Sequence, residues 1–241
     1  MTVKEKLLTL DRKGLEEHGP INIVIFGDSV SHGGMRDYVD YENVYWNRLK
    51  KKMNALRDYV PVNMIHASIG GTTAKRSLSR LERDVLKHEP DMVIVAFGLN
   101  DVNGTLEDYT ESLRTIFRRC LELGAEVIFL TPNMLNTRVA DDTPEKDRPY
   151  AYKTAEMQNG GRMDAYVSAA IKTAEEEGAL VCDCYGEWKR LAEKQDITEL
   201  LINRINHPTP EMHALFADRL YDLIIGESAC VGESESTMYQ K

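Results

Sequence analysis

The chain has 241 residues, of which 42% are apolar and 29% are charged, as is typical of a globular protein. Its net charge of −9 argues against a nucleic-acid partner, because phosphate binding depends on clusters of Lys and Arg. No apolar run approaches the ~20 residues that span a membrane, and the N-terminus lacks the apolar core of a signal peptide. We therefore expect a cytoplasmic protein with no membrane partner.

Five short apolar runs rich in Val and Ile alternate with longer amphipathic stretches. The runs are predicted to be strands, at 21–26, 60–66, 91–98, 125–132 and 178–186. Helices are predicted over 38–58, 73–88, 105–123, 150–177 and 209–225, the last with Thr209 as N-cap and Pro210 at its first position. This alternation predicts an α/β protein: a single flavodoxin-like three-layer domain with a five-stranded parallel sheet.

Three segments are predicted along the chain. Residues 1–20 form an N-terminal helical extension, residues 21–226 the α/β domain, and residues 227–241 a flexible acidic tail. Within the domain, the long polar connection at 132–149 is predicted to be a lid, a binding loop or simply a mobile segment.

The cysteines favour buried free thiols over a metal site. They are Cys120, Cys182, Cys184 and Cys230. The Cys182-x-Cys184 pair is the only arrangement that could begin a metal site, and no second cluster with ligand spacing accompanies it. We expect no metal and no cofactor.

Unusual polar residues follow three of the predicted strands. Residues 27–29 (GDS) end the first strand, 67–73 (ASIGGTT) follow the second, and 98–101 (GLND) follow the third. Before the last helix the chain adds His207, which is followed by proline. Because the carboxyl ends of parallel strands face one crevice, these segments are expected to meet there.

The residue types in this crevice suit acyl transfer. That reaction needs a hydroxyl nucleophile beside a base, and fixed donors for the developing oxyanion. Ser29 is the candidate nucleophile and His207 the candidate base. The backbone N–H groups of Ser29 and Gly71, with the Asn100 side-chain amide, are the candidate oxyanion donors.

Together these four segments resemble the blocks of the SGNH, or GDSL, hydrolase family. The match runs in the family's order over about residues 21–222, with the second-block glycine best placed at Gly71 and Gly70 the alternative. The resemblance implies a flavodoxin-like fold and ester hydrolysis without metal or cofactor. It also implies catalytic Ser29 and His207, with an oxyanion hole formed by Ser29, Gly71 and Asn100. The domain at 21–226 is then an SGNH hydrolase domain.

One departure from the family pattern concerns its last block, which usually reads D-x-x-H. Arg204 stands three residues before His207 and Asn203 four before, so no carboxylate is present at either place. We expect a Ser–His dyad assisted by Asn203 or by a main-chain oxygen. Asp28 is expected to hold its turn through backbone hydrogen bonds, and Asp101 to support the site.

Other histidines compete with His207 for the role of base. His32 and His66 lie near predicted strand ends and His213 lies in the last helix, while His18 and His88 are read as surface residues. We interpret His66 and His213 as structural and His32 as a loop residue beside the pocket. Only His207 lies in a loop directly before the final helix and is followed by proline.

The predicted function is a serine esterase acting on a small-molecule acyl ester, with acetyl esters such as O-acetylated carbohydrate favoured. A lysophospholipase or thioesterase-type acylhydrolase is the alternative, as is a catalytically weakened binding protein of the same fold. A phosphate- or flavin-binding module is disfavoured. Asp28 would repel a phosphate, and neither G-x-G-x-x-G nor G-x-x-x-x-G-K-[ST] is present.

Overall fold

The computed structural model describes residues 1–57 and 59–226. Two short helices come first, α1 (Val3–Thr9) and α2 (Arg12–His18), within the segment predicted as a helical extension. The strands are β1 (Ile21–Gly27), β2 (Val62–His66), β3 (Met92–Ala96), β4 (Glu126–Leu130) and β5 (Leu180–Cys182). The remaining helices are α3 (Tyr45–Asn54), α4 (Ala74–Asp84), α5 (Leu106–Glu122), α6 (Arg148–Asn159), α7 (Arg162–Glu177), α8 (Cys184–Ala192) and α9 (Met212–Ile225).

The strands form one parallel sheet in the order β2-β1-β3-β4-β5, which confirms the flavodoxin-like α/β prediction. The interior strand β1 is covered on both faces, and residues 23–26 are fully buried. A strand buried on both faces needs apolar residues throughout, which is why the run IVIF does not alternate. The chain order reverses between β1 and β3, so a crevice opens above their carboxyl ends.

Helices cover both faces of the sheet. On one face α3 packs against α9, and α1 contacts both α9 and β1. On the other face α5 packs between α4 and α7. This division follows from right-handed crossovers, which carry the chain over one face on the way to β2 and over the other on the way to β3, β4 and β5.

Several predicted elements were wrong in extent because of local turns. The helix predicted at 38–58 is only α3, Tyr45–Asn54, because residues 38–44 form turns and a bridge before it. The run 178–186 is a strand only as far as Cys182, because the Asp183 side chain accepts a hydrogen bond from Gly186 N and caps α8. The predicted helix 150–177 is two helices, since the chain turns at Gly160 and at Gly161, whose φ of 76° is readily adopted by glycine.

The last helix begins later than predicted. It starts at Met212, and Thr209 does not cap it. Instead Thr209 N donates to Leu200 O, next to a short antiparallel bridge between Leu201 and Pro208. This bridge holds residues 200–209 as a separate loop at the crevice, and the loop carries His207.

Cys120, Cys182 and Cys184 are buried free thiols, with the sulfurs of Cys182 and Cys184 3.9 Å apart. Cys230 and the predicted tail at 227–241 lie outside the described residues. In the described parts of the chain, no group of three or more His, Cys, Asp or Glu side chains is placed to hold a metal ion. None of the helices at 1–57 and 59–226 has the length and apolarity that crossing a membrane requires.

Candidate active site

Ser29 lies two residues beyond β1 and faces His207 across the crevice. Its Oγ is 2.9 Å from His207 Nε2, although 178 residues separate the two in sequence. The strand must end in glycine to make this turn. A Cβ added at Gly27 would lie 2.6 Å from both Ala96 O and Ser31 Oγ. The structure thus brings the two predicted catalytic residues within hydrogen-bond distance of each other.

The other nitrogen of the His207 ring bonds to a main-chain oxygen. Nδ1 lies 2.6 Å from Met35 O, and because a carbonyl can only accept, Nδ1 carries the proton. Nε2 is then unprotonated and accepts from the Ser29 hydroxyl, as a general base requires. The Met35 carbonyl is held by a tight loop, in which Met35 N donates to Tyr38 O and Gly34 N donates to Ser29 O.

Asn203 supports the His207 loop without touching the ring. Its Oδ1 accepts from the backbone N–H groups of Ile205, Asn206 and His207 at 2.9–3.0 Å. Arg204 has φ of 60° and bonds to Asp142. Two partners were predicted for the His207 ring, Asn203 or a main-chain oxygen. The partner in the structure is a main-chain oxygen, Met35 O.

The second-strand segment places two glycines beside the nucleophile. A Cβ added at Gly70 would lie 3.7 Å from Ser29 Cβ, whereas one at Gly71 would meet nothing within 4 Å. Gly71 has φ of 69°, which explains why glycine suits that turn. Gly70, the alternative in the sequence, is therefore the glycine packed against Ser29. The backbone N–H groups of Ser29, Gly70 and Gly71 have no acceptor among the described residues.

Asn100 joins the three strand-end segments. Its Nδ2 donates to Thr72 O at 3.0 Å and approaches Asp28 Oδ2 at 3.5 Å. The contact with Asp28 is long and therefore weak. The Asn100 amide hydrogen that points toward Asp28 is thus available to another acceptor. Asp28 Oδ1 accepts from Val30 N, which holds the turn as predicted for this residue.

Two buried carboxyl groups lie beneath these loops. Asp101 Oδ1 accepts from Ala74 N at the start of α4, and its Oδ2 has no partner among the described residues. Burial raises the pKa of Asp101 to about 6. Burial, with a smaller contribution from the charge of Asp101, raises the pKa of Asp28 to about 7.

We expect Asp28→Asn to flatten the pH dependence of stability. In the unfolded chain this carboxyl ionises near 3.8, whereas in the folded protein it stays protonated up to about 7. Its contribution to stability is therefore lost as pH rises between these values. Urea unfolding is measured at pH 5 and at pH 8. The free energy of unfolding should fall between these two pH values, and the fall should be smaller in the variant by about 3 kcal/mol. An equal fall in both proteins would contradict this.

The competing histidines are engaged elsewhere. His32 Nδ1 donates to Ser68 O, and His66 stacks on Trp46. His213 is fully buried against Tyr45, and burial lowers its pKa to about 4. Among the described residues, none of these imidazoles forms a hydrogen bond with Ser29.

The arrangement of the four segments at one crevice agrees with a sequence comparison. A model of the GDSL-like lipase/acylhydrolase family matches residues 25–215, most of the chain. The chain belongs to this family. Among curated proteins it is similar to an acetylxylan esterase from Geobacillus stearothermophilus, at 22% identity over 177 residues, covering 68% of this chain and 73% of that protein.

Further relatives of this GDSL-family chain include a lipoprotein and two solved esterase structures. The lipoprotein YqeF of Bacillus subtilis is 33% identical over 97 residues, 39% of this chain but only 38% of the lipoprotein. Axe2, an acetylxylan esterase from Geobacillus stearothermophilus, superposes with a TM-score of 0.68 at 20% identity over 86% of this chain and 95% of its own. AlAXEase, an acetyl xylan esterase, superposes with a TM-score of 0.64 at 23% identity, over 85% of this chain and 100% of its own. These structures show the same fold.

The 132–149 connection of this GDSL-family protein is anchored to the His207 loop. Asn133 Nδ2 donates to Asn206 O, and Asn136 N donates to Ile205 O, with both asparagines fully buried. Its later part, with Tyr150, lines a cleft of about 520 Å³ beside His207. The first part is therefore packed against the His207 loop, and the later part borders the cleft.

We expect kcat/KM for ester hydrolysis to fall only below pH 6.5. Burial lowers the pKa of His207, and the hydrogen bond to Met35 O offsets this only in part. A lowered pKa keeps Nε2 unprotonated, and so able to act as a base, to a more acidic pH than an exposed imidazole. A pH–rate profile of the wild type checks this. A His66→Gln variant removes another imidazole with a lowered pKa, and it should keep the same acid limb, the fall in kcat/KM at low pH. A limb centred above 6.5 that persists in Asp28→Asn, which lacks the neighbouring carboxyl with a pKa of about 7, would contradict the assignment.

Proposed function

We propose that this protein is a serine esterase that hydrolyses short acyl esters, with O-acetylated carbohydrate as the favoured substrate class. The observation that carries the proposal is the hydrogen-bonded series Ser29 Oγ, His207 Nε2, His207 Nδ1 and Met35 O. It supplies a hydroxyl nucleophile, a neutral base in the required tautomer, and a group that orients the base.

The reaction proceeds in two halves. His207 Nε2 takes the proton of Ser29 as Oγ attacks the ester carbonyl carbon. The resulting oxyanion is met by the free N–H groups of Ser29 and Gly70 or Gly71, and by Asn100. The carbon–oxygen bond to the alcohol then breaks, and the alcohol oxygen takes the proton from His207. Water, deprotonated by His207, attacks the acyl-enzyme, and Ser29 leaves with the proton as the acid is released.

The carbohydrate part of the proposal is supported by relatives and by the site. Acetylxylan esterases are among the proteins similar to this chain in sequence and in fold. The cleft at His207 is lined by charged and amide side chains as well as by Tyr150. Such a lining suits an alcohol rich in hydroxyl groups better than an acyl chain.

A chain-length series tests the proposal. The purified protein is assayed on p-nitrophenyl acetate, butyrate and octanoate, with and without a metal chelator. We expect kcat/KM to be highest for acetate and unaffected by the chelator. Highest activity on octanoate would favour the lysophospholipase or thioesterase-type reading. Loss of activity with the chelator would contradict the metal-independent mechanism.

A further inference from the structure

The cleft beside His207 is formed by the His207 loop itself, at residues 203–207, and by two other parts of the chain. Arg36 and Asp37 come from the loop that carries the Met35 carbonyl, while Lys146, Asp147 and Tyr150 come from the end of the 132–149 connection and the start of α6. We call these five residues the cleft residues. The cleft has a volume of about 520 Å³, which is within the usual size of a small-molecule site, roughly 300–1,000 Å³.

The positions of the base and of the oxyanion donors determine which part of an ester can enter this cleft. The leaving alcohol oxygen must receive its proton from His207 Nε2, so it lies within hydrogen-bond reach of that atom. The oxyanion must point elsewhere, toward the free N–H groups of Ser29 and of Gly70 or Gly71. His207 borders the cleft, whereas Ser29 and the oxyanion donors do not, so the cleft offers space on the His207 side for the rest of the alcohol.

The cleft residues offer unused hydrogen-bonding groups of both kinds. Lys146 and Asp147 form no ion pair with any described residue. The Tyr150 hydroxyl accepts a long bond from Asn103 Nδ2 at 3.4 Å, and nothing in the described chain accepts its hydrogen. A sugar hydroxyl both donates and accepts, so this mixture of free donors and acceptors matches it.

The charge of the cleft residues disfavours a phosphorylated alcohol. Two cations, Arg36 and Lys146, are balanced by two anions, Asp37 and Asp147. Phosphate recognition depends on an excess of Arg or Lys, and bidentate Arg contacts are typical of it. Here Arg36 is also directed to Asp142 O and lies 3.9 Å from Asp37.

The part of the cleft formed by Lys146, Asp147 and Tyr150 is held in place before any ligand binds. Residues Glu145–Asp147 form a short 3-10 turn that runs directly into α6. Arg148 ties this turn to the preceding loop by donating to Thr143 O and Asp141 O. A preformed site of this kind loses little conformational entropy when it binds.

We propose that this cleft binds the leaving alcohol of the substrate, and that this alcohol is an uncharged polyol such as a sugar residue of an acetylated oligosaccharide. Tyr150, Lys146 and Asp147 are its specificity-determining residues. The inference rests on the proposed esterase function and adds to it the position and the chemistry of the alcohol.

Two acetyl esters with different alcohols test the inference. Acetylated xylo-oligosaccharide and p-nitrophenyl acetate give the same acetyl-enzyme, so only the acylation half depends on the alcohol. In Tyr150→Phe and in Lys146→Met, kcat/KM on the sugar ester should fall about 5- to 30-fold, as expected for a lost hydrogen bond. On p-nitrophenyl acetate it should change less than about twofold. Tyr152→Phe is the matched control, because Tyr152 is exposed on α6 and does not line the cleft.

Three outcomes overturn the inference. Unchanged kcat/KM on the sugar ester, or an equal loss on both esters, would mean that the cleft does not hold the alcohol. A preference for 1-acetylglycerol 3-phosphate over 1-acetylglycerol, lost in Lys146→Met, would mean that it takes a phosphorylated alcohol.

Failure of the esterase function is recognised separately. If the wild type hydrolyses neither ester, the function fails, and the cleft is then tested by binding. Calorimetric titration of Ser29→Ala with acetylated xylo-oligosaccharide should show binding that the added Tyr150→Phe substitution weakens. The absence of binding to Ser29→Ala would overturn the inference on its own.

Discussion

Ser29→Ala should lose hydrolysis of p-nitrophenyl acetate by at least about 10⁴-fold in kcat, because the substitution removes the oxygen that forms the acyl-enzyme. The side chain is only partly buried and its single hydrogen bond is to His207, so folding should be unaffected. Steady-state kinetics together with thermal unfolding of the same preparation checks both halves of this expectation.

Ser31→Ala is the matched control for Ser29→Ala. Ser31 lies in the same turn, but its Oγ is fully buried and bonds to Tyr45 Oη at 2.8 Å. Its loss should lower stability by about 1 kcal/mol and leave most of the turnover. An active Ser29→Ala protein, or an inactive but stable Ser31→Ala protein, would place the nucleophile elsewhere.

His207→Ala should reduce kcat by a comparable factor, about 10⁴-fold, since Ser29 then has no base. The substitution also empties the space between Ser29 Oγ and Met35 O. We expect added imidazole to enter this space and to restore part of the activity, measured as a rate that rises with imidazole concentration. Restored rates would separate a lost base from a misfolded site.

His32→Gln is the control for His207→Ala. His32 lies in the same loop region as Ser29, but its Nδ1 bonds to Ser68 O and not to the nucleophile. It should retain turnover within about threefold of the wild type. A loss as large as that of His207→Ala, without rescue by imidazole, would contradict the choice of His207 as the base.

The absence of an acid in the last block has a structural explanation. Met35 O occupies the position next to Nδ1 where a carboxylate would be needed. Position 204 directs its side chain toward Asp142 and Glu199, and position 203 is committed to three backbone N–H groups. A carbonyl carries only a partial charge, so it orients the ring while stabilising the imidazolium less than a carboxylate does.

The sheet could be predicted from the sequence because each buried strand is a short, uninterrupted apolar run. The segments GDS and GLND, and His207, could be placed because parallel strand ends meet at one edge. The boundary at Cys182 was missed because the apolar pattern continues into α8, and only the Asp183 cap separates the two. Local hydrogen bonds of this kind decide an element's end more than its composition does.

The Met35 carbonyl could not have been predicted as a ring partner. A main-chain oxygen has no residue-type signature, and its position depends on how residues 33–40 fold back toward Ser29. The choice between Gly70 and Gly71 could not be made from the sequence for the same reason. The sequence Gly-Gly shows that the turn is tight, but only the backbone geometry shows which glycine lies against Ser29.

The most direct test of a Ser29–His207 mechanism is to trap the acyl-enzyme. The protein is mixed with p-nitrophenyl acetate in the presence of chelator, quenched in acid within milliseconds, digested, and mapped by mass spectrometry. We expect one acetyl group on Ser29, formed together with a burst of p-nitrophenol and absent from Ser29→Ala. Turnover with no acetylated intermediate, or with the acetyl group on another residue, would contradict the mechanism.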